Sequence, residues 1–324
     1  MIHTYEKPWL EHVKGDTWCI VTSHVRIPLF RLDNGRAVLI DSGLAAPDGP
    51  EILSLLRREG LTAAAVLTSH THIDHAGNHR LLQREHGARL WMSQLDAAAF
   101  SNAVALEALF ADIGRRKAAE RNAAMFCRAD EIIWPEDTHV TVEGASFTVL
   151  RLPGHTLEHL GFVTPDGVAY LGDVLLSEQV LAAVRIPYCA CCELDLWSKR
   201  AAAELPYDRY IIPHNGVCGD IRTLAQANID AMLEKVELTA AQADRWLSME
   251  ELAARVAAAT GVAGDSVYRV RIAKGNIRSF VKYLLDRGRL AQRAKDGVIQ
   301  YIRADRAGLP PERKETEACP GIVK

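Results

Sequence analysis

The stretch "SHTHIDHAGN", residues 69–78, sets three histidines and an aspartate within six positions: His70, His72, Asp74 and His75. At a strand end, residues i and i+2 point to the same side, so His70 and His72 can grip one metal ion. Asp74 and His75 fall on the turn beyond and can face a second ion nearby. Two ions need more ligands than these four side chains supply. The rest of the chain offers isolated candidates, each placed where a strand gives way to a loop, which is where α/β folds build their sites. They are His155 in "LRLPGHT", Asp173 in "VAYLGDV" and His214 in "YIIPHNG".

The elements that must position these groups alternate between strand and helix up to about residue 220. "DTWCIVTS" and "IPLFRLDNGRAVLIDSG" read as strands, the second folded into a hairpin at Asp33-Asn34-Gly35. "PEILSLLRREG" reads as a short helix with Pro50 at its start and Gly60 at its end. "AAAVLTSH" is a buried strand that runs straight into the histidine cluster, and "NHRLLQREHG" and "ARLWMS" follow as helix and strand. Residues 96–128 read as an Ala-rich helical insertion, with Arg115, Arg116 and Lys117 solvating one face. The insertion falls between two ligand motifs and is expected to cover the metal cleft. Phe100, Val104, Leu109, Phe110 and Ile113 would then turn toward the body or the substrate. Strands resume at "HVTVEGASFTVLRLPGH", "GFVTPDGVAYLGD" and "YDRYIIPHNG".

Over roughly residues 15–220 the chain resembles the metallo-β-lactamase-fold hydrolases. "HTHIDH" is similar to their HxHxDH signature, and the "GH", "GD" and "PHNG" pieces follow in the same order. The resemblance implies an α/β fold, the αββα sandwich, with His70, His72 and His155 at one metal position. Asp74, His75 and His214 would form the second, Asp173 would bridge the two, and Asp41 of "LIDSG" would support them without ligating. A hydroxide held between two cations is a nucleophile at neutral pH, and the ions polarise the oxygen of the bond to be cut. Asp74 would be catalytic as well, ligating and orienting that hydroxide. Zinc suits imidazole and carboxylate ligands and carries no redox chemistry, so Zn2+ is the expected metal; iron or manganese fits the same sphere.

His72 stands where diiron relatives commonly carry glutamate, which argues against oxygen reduction. Asp173 is a bridge that true β-lactamases of this fold lack, which favours relatives of the glyoxalase-II, lactonase and nuclease kinds. The mononuclear iron persulfide dioxygenases keep similar histidines and rank lower. "IPHNG" departs from the frequent "PGHG", and "GHTLEH" carries Glu158 where small residues are frequent. His159 reads as a supporting or structural histidine and not a ligand. Cys189, Cys191 and Cys192 read as packed thiols, their spacing too tight for a separate metal site, and Tyr188 could donate to an oxyanion.

The 324 residues suffice for one large domain and a smaller one, and 48% hydrophobic with 24% charged residues is an ordinary globular balance. No apolar run is long enough to span a membrane, and the charged amino terminus has no signal-like core, so a cytoplasmic protein is expected. Seven irregularly spaced cysteines do not form a disulfide framework. Up to Asp220 there are 20 basic against 28 acidic residues; from Ile221 onward there are 18 against 13. That shift marks a boundary near 220, between a catalytic domain over 1–220 and a helical, winged-helix-like domain over 221–306, with a poorly ordered tail at 307–324. Arg269, Arg271, Lys274, Arg278, Lys282, Arg287, Arg289, Arg293 and Lys295 could grip a phosphate backbone, or could simply solvate a domain that packs on the catalytic one or on a second copy of the chain in a homodimer. The glutathione-binding pattern of glyoxalase II is not evident. The expected function is therefore dinuclear metal-dependent hydrolysis of a thioester, lactone or other ester-like small molecule. An endoribonuclease is the second choice, because the acidic catalytic half repels a polyanion.

Overall fold

Successive residues along an extended strand face opposite sides, and Thr17–Val21, Arg26–Arg31, Arg36–Ile40 and Thr62–Leu67 are buried at most positions, so both faces of their sheet are covered. A computed structural model describes residues 7–109, 115–262 and 266–307. The chain divides into two units. The first takes residues through Leu152, Glu158–Leu176 and Glu204–Ile221; the second takes Pro153–Leu157, Ser177–Ala203 and the residues from Arg222 onward. Segments 153–157 and 177–203, read from sequence as part of the catalytic domain, thus group with the carboxy-terminal helices.

The first unit holds two mixed sheets. Strands β1 (Trp9–Lys14), β2 (Thr17–Val21), β3 (Arg26–Arg31), β4 (Arg36–Ile40), β5 (Thr62–Leu67), β6 (Arg89–Ser93) and β7 (Glu131–Ile133) lie in that order, antiparallel through β4 and parallel after it. The second sheet runs β13-β12-β11-β10-β9-β8, with β8 (His139–Val142), β9 (Ala145–Arg151), β10 (Leu160–Val163), β11 (Val168–Tyr170), β12 (Arg209–Ile212) and β13 (Gly216–Cys218). Val38 and Ile40 of β4 and Ala65 and Leu67 of β5 meet Phe147, Phe162, Tyr170 and Ile211 of the second sheet in one apolar cluster. The intervening Ala37 and Leu39 pack instead with Ile52, Leu55 and Leu56 of helix α1 (Asp48–Arg58). Register slips in β1, between His12 and Lys14, and again in β5: Ala37 pairs with Ala63 but Val38 with Ala65, leaving Ala64 as a bulge.

Local signals set the turns. Asn34 and Gly35 take left-handed φ of 62° and 72° in the turn joining β3 to β4. Beyond β5 come α2 (Ile73–Ala76) and α3 (His79–His86), the latter closed by left-handed Gly87. Within the insertion expected over 96–128, the described residues form α4 (Gln94–Ala99), α5 (Ala103–Leu109) and α6 (Arg115–Asn122), with a break between α4 and α5. That break has a clear cause. The Asn102 side chain accepts from the amides of Val104 and Ala105, starting a new helix where the old one would have continued. Phe100 and Leu106 are buried with Ala76 of α2, Ala99 and Met125, whereas Val104 is exposed. Phe110, Ile113 and the Leu109 side chain lie outside the described residues.

The second unit packs α8 (Cys192–Ala203), α9 (Arg222–Gln242), α10 (Met249–Thr260) and α11 (Val267–Asp286) about one apolar cluster; α7 (Glu178–Ala183) precedes them. Cys189 and Cys192 are buried in that cluster. A reciprocal cap between Ser248 and Glu251 starts α10, and left-handed Gly261 ends it. Strands β15 (Leu290–Lys295) and β16 (Val298–Arg303) form a hairpin turned at Asp296-Gly297, with β14 (Leu247–Ser248) on the far edge of β16. The tail expected over 307–324 lies outside the described residues apart from Ala307. Among the described residues no helix is long and apolar enough to cross a membrane.

Candidate metal centre

Strand ends carry the ligands, as their spacing requires. β5 ends at Leu67 and delivers His70 and His72; α2 follows at once with Asp74 and His75. Asp173 lies in a single helical turn, Gly172–Val174, just beyond β11, and His214 falls between β12 and β13. His155 follows β9 in the short stretch Pro153–Leu157. The ligand atoms of His70, His72, His155 and Asp173 lie within 4.8 Å of one another, as do those of Asp74, His75 and His214. All seven residues singled out by sequence come together in these two groups.

Asp173 has an oxygen for each group. Its Oδ2 lies 3.9 Å from His70 Nε2, while its Oδ1 lies 3.2 Å from His75 Nε2 and 3.4 Å from His214 Nε2. Asp74 Oδ2 lies 3.4 Å from the same His214 nitrogen. The distal nitrogens are aimed by fixed partners. His75 Nδ1 sits 2.8 Å from Asp41 Oδ2, and His214 Nδ1 donates to the His24 carbonyl at 3.1 Å.

Asp41 is the hub of this support. It follows β4 with a left-handed φ of 66°, a conformation that Asp tolerates better than most residues. It accepts from the Ser69 amide at 2.7 Å, the Ser69 hydroxyl at 2.6 Å and the Tyr170 hydroxyl at 2.6 Å, besides His75. Burial alone would raise its pKa, but the His75 bond and charge, with the Ser69 and Tyr170 bonds, hold the carboxyl below its ordinary range. Burial likewise works against a charged His75, yet the Asp173 and Asp74 carboxylates hold that imidazole well above the usual histidine range. His70 goes the other way, pushed well below by burial and then by His75, His72 and His159. The same ring set thus contains imidazoles biased toward both protonation states.

Sequence reasoning missed several supporting groups. Thr71, between two ligands, donates to Asp96 Oδ1 at 2.5 Å, and Ser93 donates to the other oxygen at 2.8 Å. Burial, only partly opposed by those bonds, raises the Asp96 pKa to about 6. The available signal was the Ser93-x-x-Asp96 spacing of a helix start. His79 bridges Ser42 at 2.7 Å and Thr68 at 2.8 Å, and burial lowers its pKa to about 4. Tyr188 stands edge-on to His155, with ring centroids 5.1 Å apart.

The donor set fits a pair of divalent cations. Imidazole nitrogens and carboxylate oxygens converge, and the Nε2 of buried His75 and the Oδ1 of buried Asp173 lie close enough to His214 Nε2 to share a cation with it. Two mixed sheets carry this centre of His and Asp side chains at their strand ends. Residues 27–214 match the metallo-beta-lactamase superfamily, and the chain belongs to it. Hydroxyacylglutathione hydrolase of Xanthomonas campestris pv. campestris (strain B100) is a distant homologue, 35% identical over 145 residues, 45% of this chain and 44% of that protein. The chain therefore matches less than half the length of that relative. The hydroxyacylglutathione hydrolase of Serratia proteamaculans (strain 568) is 25% identical over 239 residues, 65% of this chain and 82% of that protein. A metallo-beta-lactamase family protein from Thermus thermophilus is similar in fold, with a TM-score of 0.66 at 22% identity over 86% of this chain and 93% of its own. A beta-lactamase domain protein from Burkholderia ambifaria gives 0.69 at 19% identity, over 91% and 93% of the two chains.

Proposed function

We propose that the protein hydrolyses an ester-like bond in a small molecule, a thioester or lactone ahead of a β-lactam, with two divalent ions held by the seven residues. The observation that carries the reading is Asp173, one oxygen turned to His70 and the other to His75 and His214. A carboxylate so placed suits a shared ligand, and its negative charge draws two cations together. Two bound ions supply an activated water and polarise the oxygen of the scissile group, and zinc suits these ligands best. The chain's own contribution is position. Asp41 aims His75 and the His24 carbonyl aims His214. Asp74, less buried than its neighbours, stands where it can orient a water and hold a proton. The hydroxyacylglutathione hydrolases, thioester hydrolases by name, support the thioester as first substrate class.

The carboxy-terminal module supports a winged-helix reading, with α10 and α11 followed by the β15–β16 hairpin and β14 beside it. A nuclease that grips RNA through this module ranks second. Lys274, Arg287 and Arg289 face Glu250, Glu193 and Glu237, and Arg293 lies over the Trp246 ring with its guanidinium on Gln300. Cations already paired in this way contribute less to phosphate binding.

Elemental analysis of protein purified without chelator, with turnover on thioesters, lactones, phosphodiesters and short RNAs, tests the reading. Close to two ions per chain with thioester or lactone cleavage is expected. A metal content near zero after zinc or iron reconstitution would remove it.

A further inference from the structure

His159 stands outside the ligand set, yet it is almost wholly buried and lies against two of its members. Its Nε2 accepts the backbone N–H of Asp173 at 3.1 Å. Its ring is tilted by 34° over that of His70, with centroids 4.8 Å apart. An imidazole nitrogen that accepts carries no proton, so the ring is neutral with its hydrogen on Nδ1.

The backbone approaches the ring closely from the other side. Gly172 has a left-handed φ of 52°, and a Cβ there would lie 2.5 Å from His159 Nε2 and 3.2 Å from Ser69 Oγ. No side chain fits at that position without moving the ring. Asp173 itself sits in the sparsely populated bridge region, with φ −91° and ψ 22°. A conformation of that kind persists when its surroundings hold it, and the amide bond to His159 is one of the things that hold it.

We infer that His159 is a positioning residue for the shared carboxylate: as a neutral imidazole it holds the Asp173 amide and so sets how Asp173 spans the two ligand groups. A small rotation of the 172–173 peptide would carry both carboxylate oxygens away from their histidines together. The inference rests on the two-metal reading for its consequence, but the hydrogen bond itself does not.

The test compares the wild type with His159→Phe, His159→Gln and Gly172→Ala. Phenylalanine keeps the ring volume and loses the acceptor; glutamine brings Oε1 near the place of Nε2. Zinc affinity, read by competition with a chromophoric chelator, should fall roughly 10–100-fold in His159→Phe and in Gly172→Ala. His159→Gln should recover most of the loss. In zinc-free protein, hydrogen exchange of the Asp173 amide should be slow in wild type and in His159→Gln and faster in His159→Phe. Equal zinc affinity in His159→Phe and wild type, or no recovery with glutamine, overturns the assignment. A wild type that takes up no zinc would sink the two-metal reading alone, and the exchange rates would still decide whether His159 holds Asp173.

Discussion

The two ligand groups share Asp173 but are built to different standards of enclosure. His70 is fully buried and His155 is 5% exposed, while the Asp74 and His214 side chains keep 29% and 19% of their surface. Three of the four members of the first group, His70, His155 and Asp173, are buried, and neighbours hold them. His70 Nδ1 sits 3.0 Å from the Ser69 hydroxyl, and the Gly154 carbonyl beside His155 accepts from Ala190 at 2.8 Å and Cys191 at 3.1 Å. The open group has Asp41 behind His75 but solvent in front of Asp74. A closed set of ligands favours tight retention of an ion, and an open one leaves room for substrate and water. The expectation that follows is retention at the first group and chemistry at the second.

The strongest way to break that division is to remove what the groups share. Asp173→Asn should reduce metal content below two and turnover by roughly 10³-fold, since several kcal/mol of charge stabilisation depend on the paired ions. Retention of both ions and full turnover would end the bridging assignment. Next comes the open side alone. Asp74→Ala should cut kcat by about 10²-fold with KM little changed, as expected for a group that acts on the reacting proton and not on substrate binding. Steady-state kinetics that match wild type would contradict it. Tyr170→Phe then sharpens the comparison from behind, because it removes one of the donors to Asp41 and should weaken metal affinity about 10-fold, read by chelator competition.

A fourth prediction concerns the buried side and depends on pH. His79 is held neutral, with a pKa near 4 when folded against the ordinary 6.5. Between those values the unfolded chain binds more protons. Stability is therefore complete above pH 6.5 and falls as pH drops toward 4, by an upper bound of about 3 kcal/mol. In chelator-treated protein, His79→Gln should flatten this acid limb by close to one proton in denaturation curves; an unchanged limb would refute it. The smallest effect is expected farthest from the centre. Arg278, Lys282 and Arg289 changed together to Glu should alter ester turnover less than about 2-fold. Tight RNA binding that weakens with salt in wild type and vanishes in this variant would instead raise the nuclease reading to first place.

The ligands were legible in the sequence because their spacing is local: two histidines at i and i+2, then an aspartate and a histidine on the next turn. The strands were legible because their apolar runs are short and bounded by turn residues, as β4 and β5, buried on both sides, show. Long-range relations were not legible. Nothing near Gly154 announces that a Cβ there would come within 2.1 Å of the Asp195 backbone, nor that 177–203 groups with the carboxy-terminal helices. The basic run from α11 into β15 looked like a phosphate grip because the glutamates facing Lys274 and Arg287 lie 24 and 94 residues away. The helical insertion read over 96–128 gave no sign of its division at Asn102, whose side chain starts a helix of its own.

The bulge at Ala64 has a consequence for how the chain tolerates a change of length. Losing one residue from an ordinary strand exchanges inward and outward side chains beyond the cut. β5 carries one residue more than its partner, and residues 63, 64 and 65 are all alanine. Deleting any one of the three yields the same polypeptide, in which Ala37 and Val38 of β4 still find alanines opposite and Val66, Leu67 and the histidines beyond keep their facing. The strand that delivers the metal ligands therefore holds a spare unit of length at the one place where its loss leaves the parity of everything downstream intact, so single-codon deletions should be survivable there and damaging two residues later.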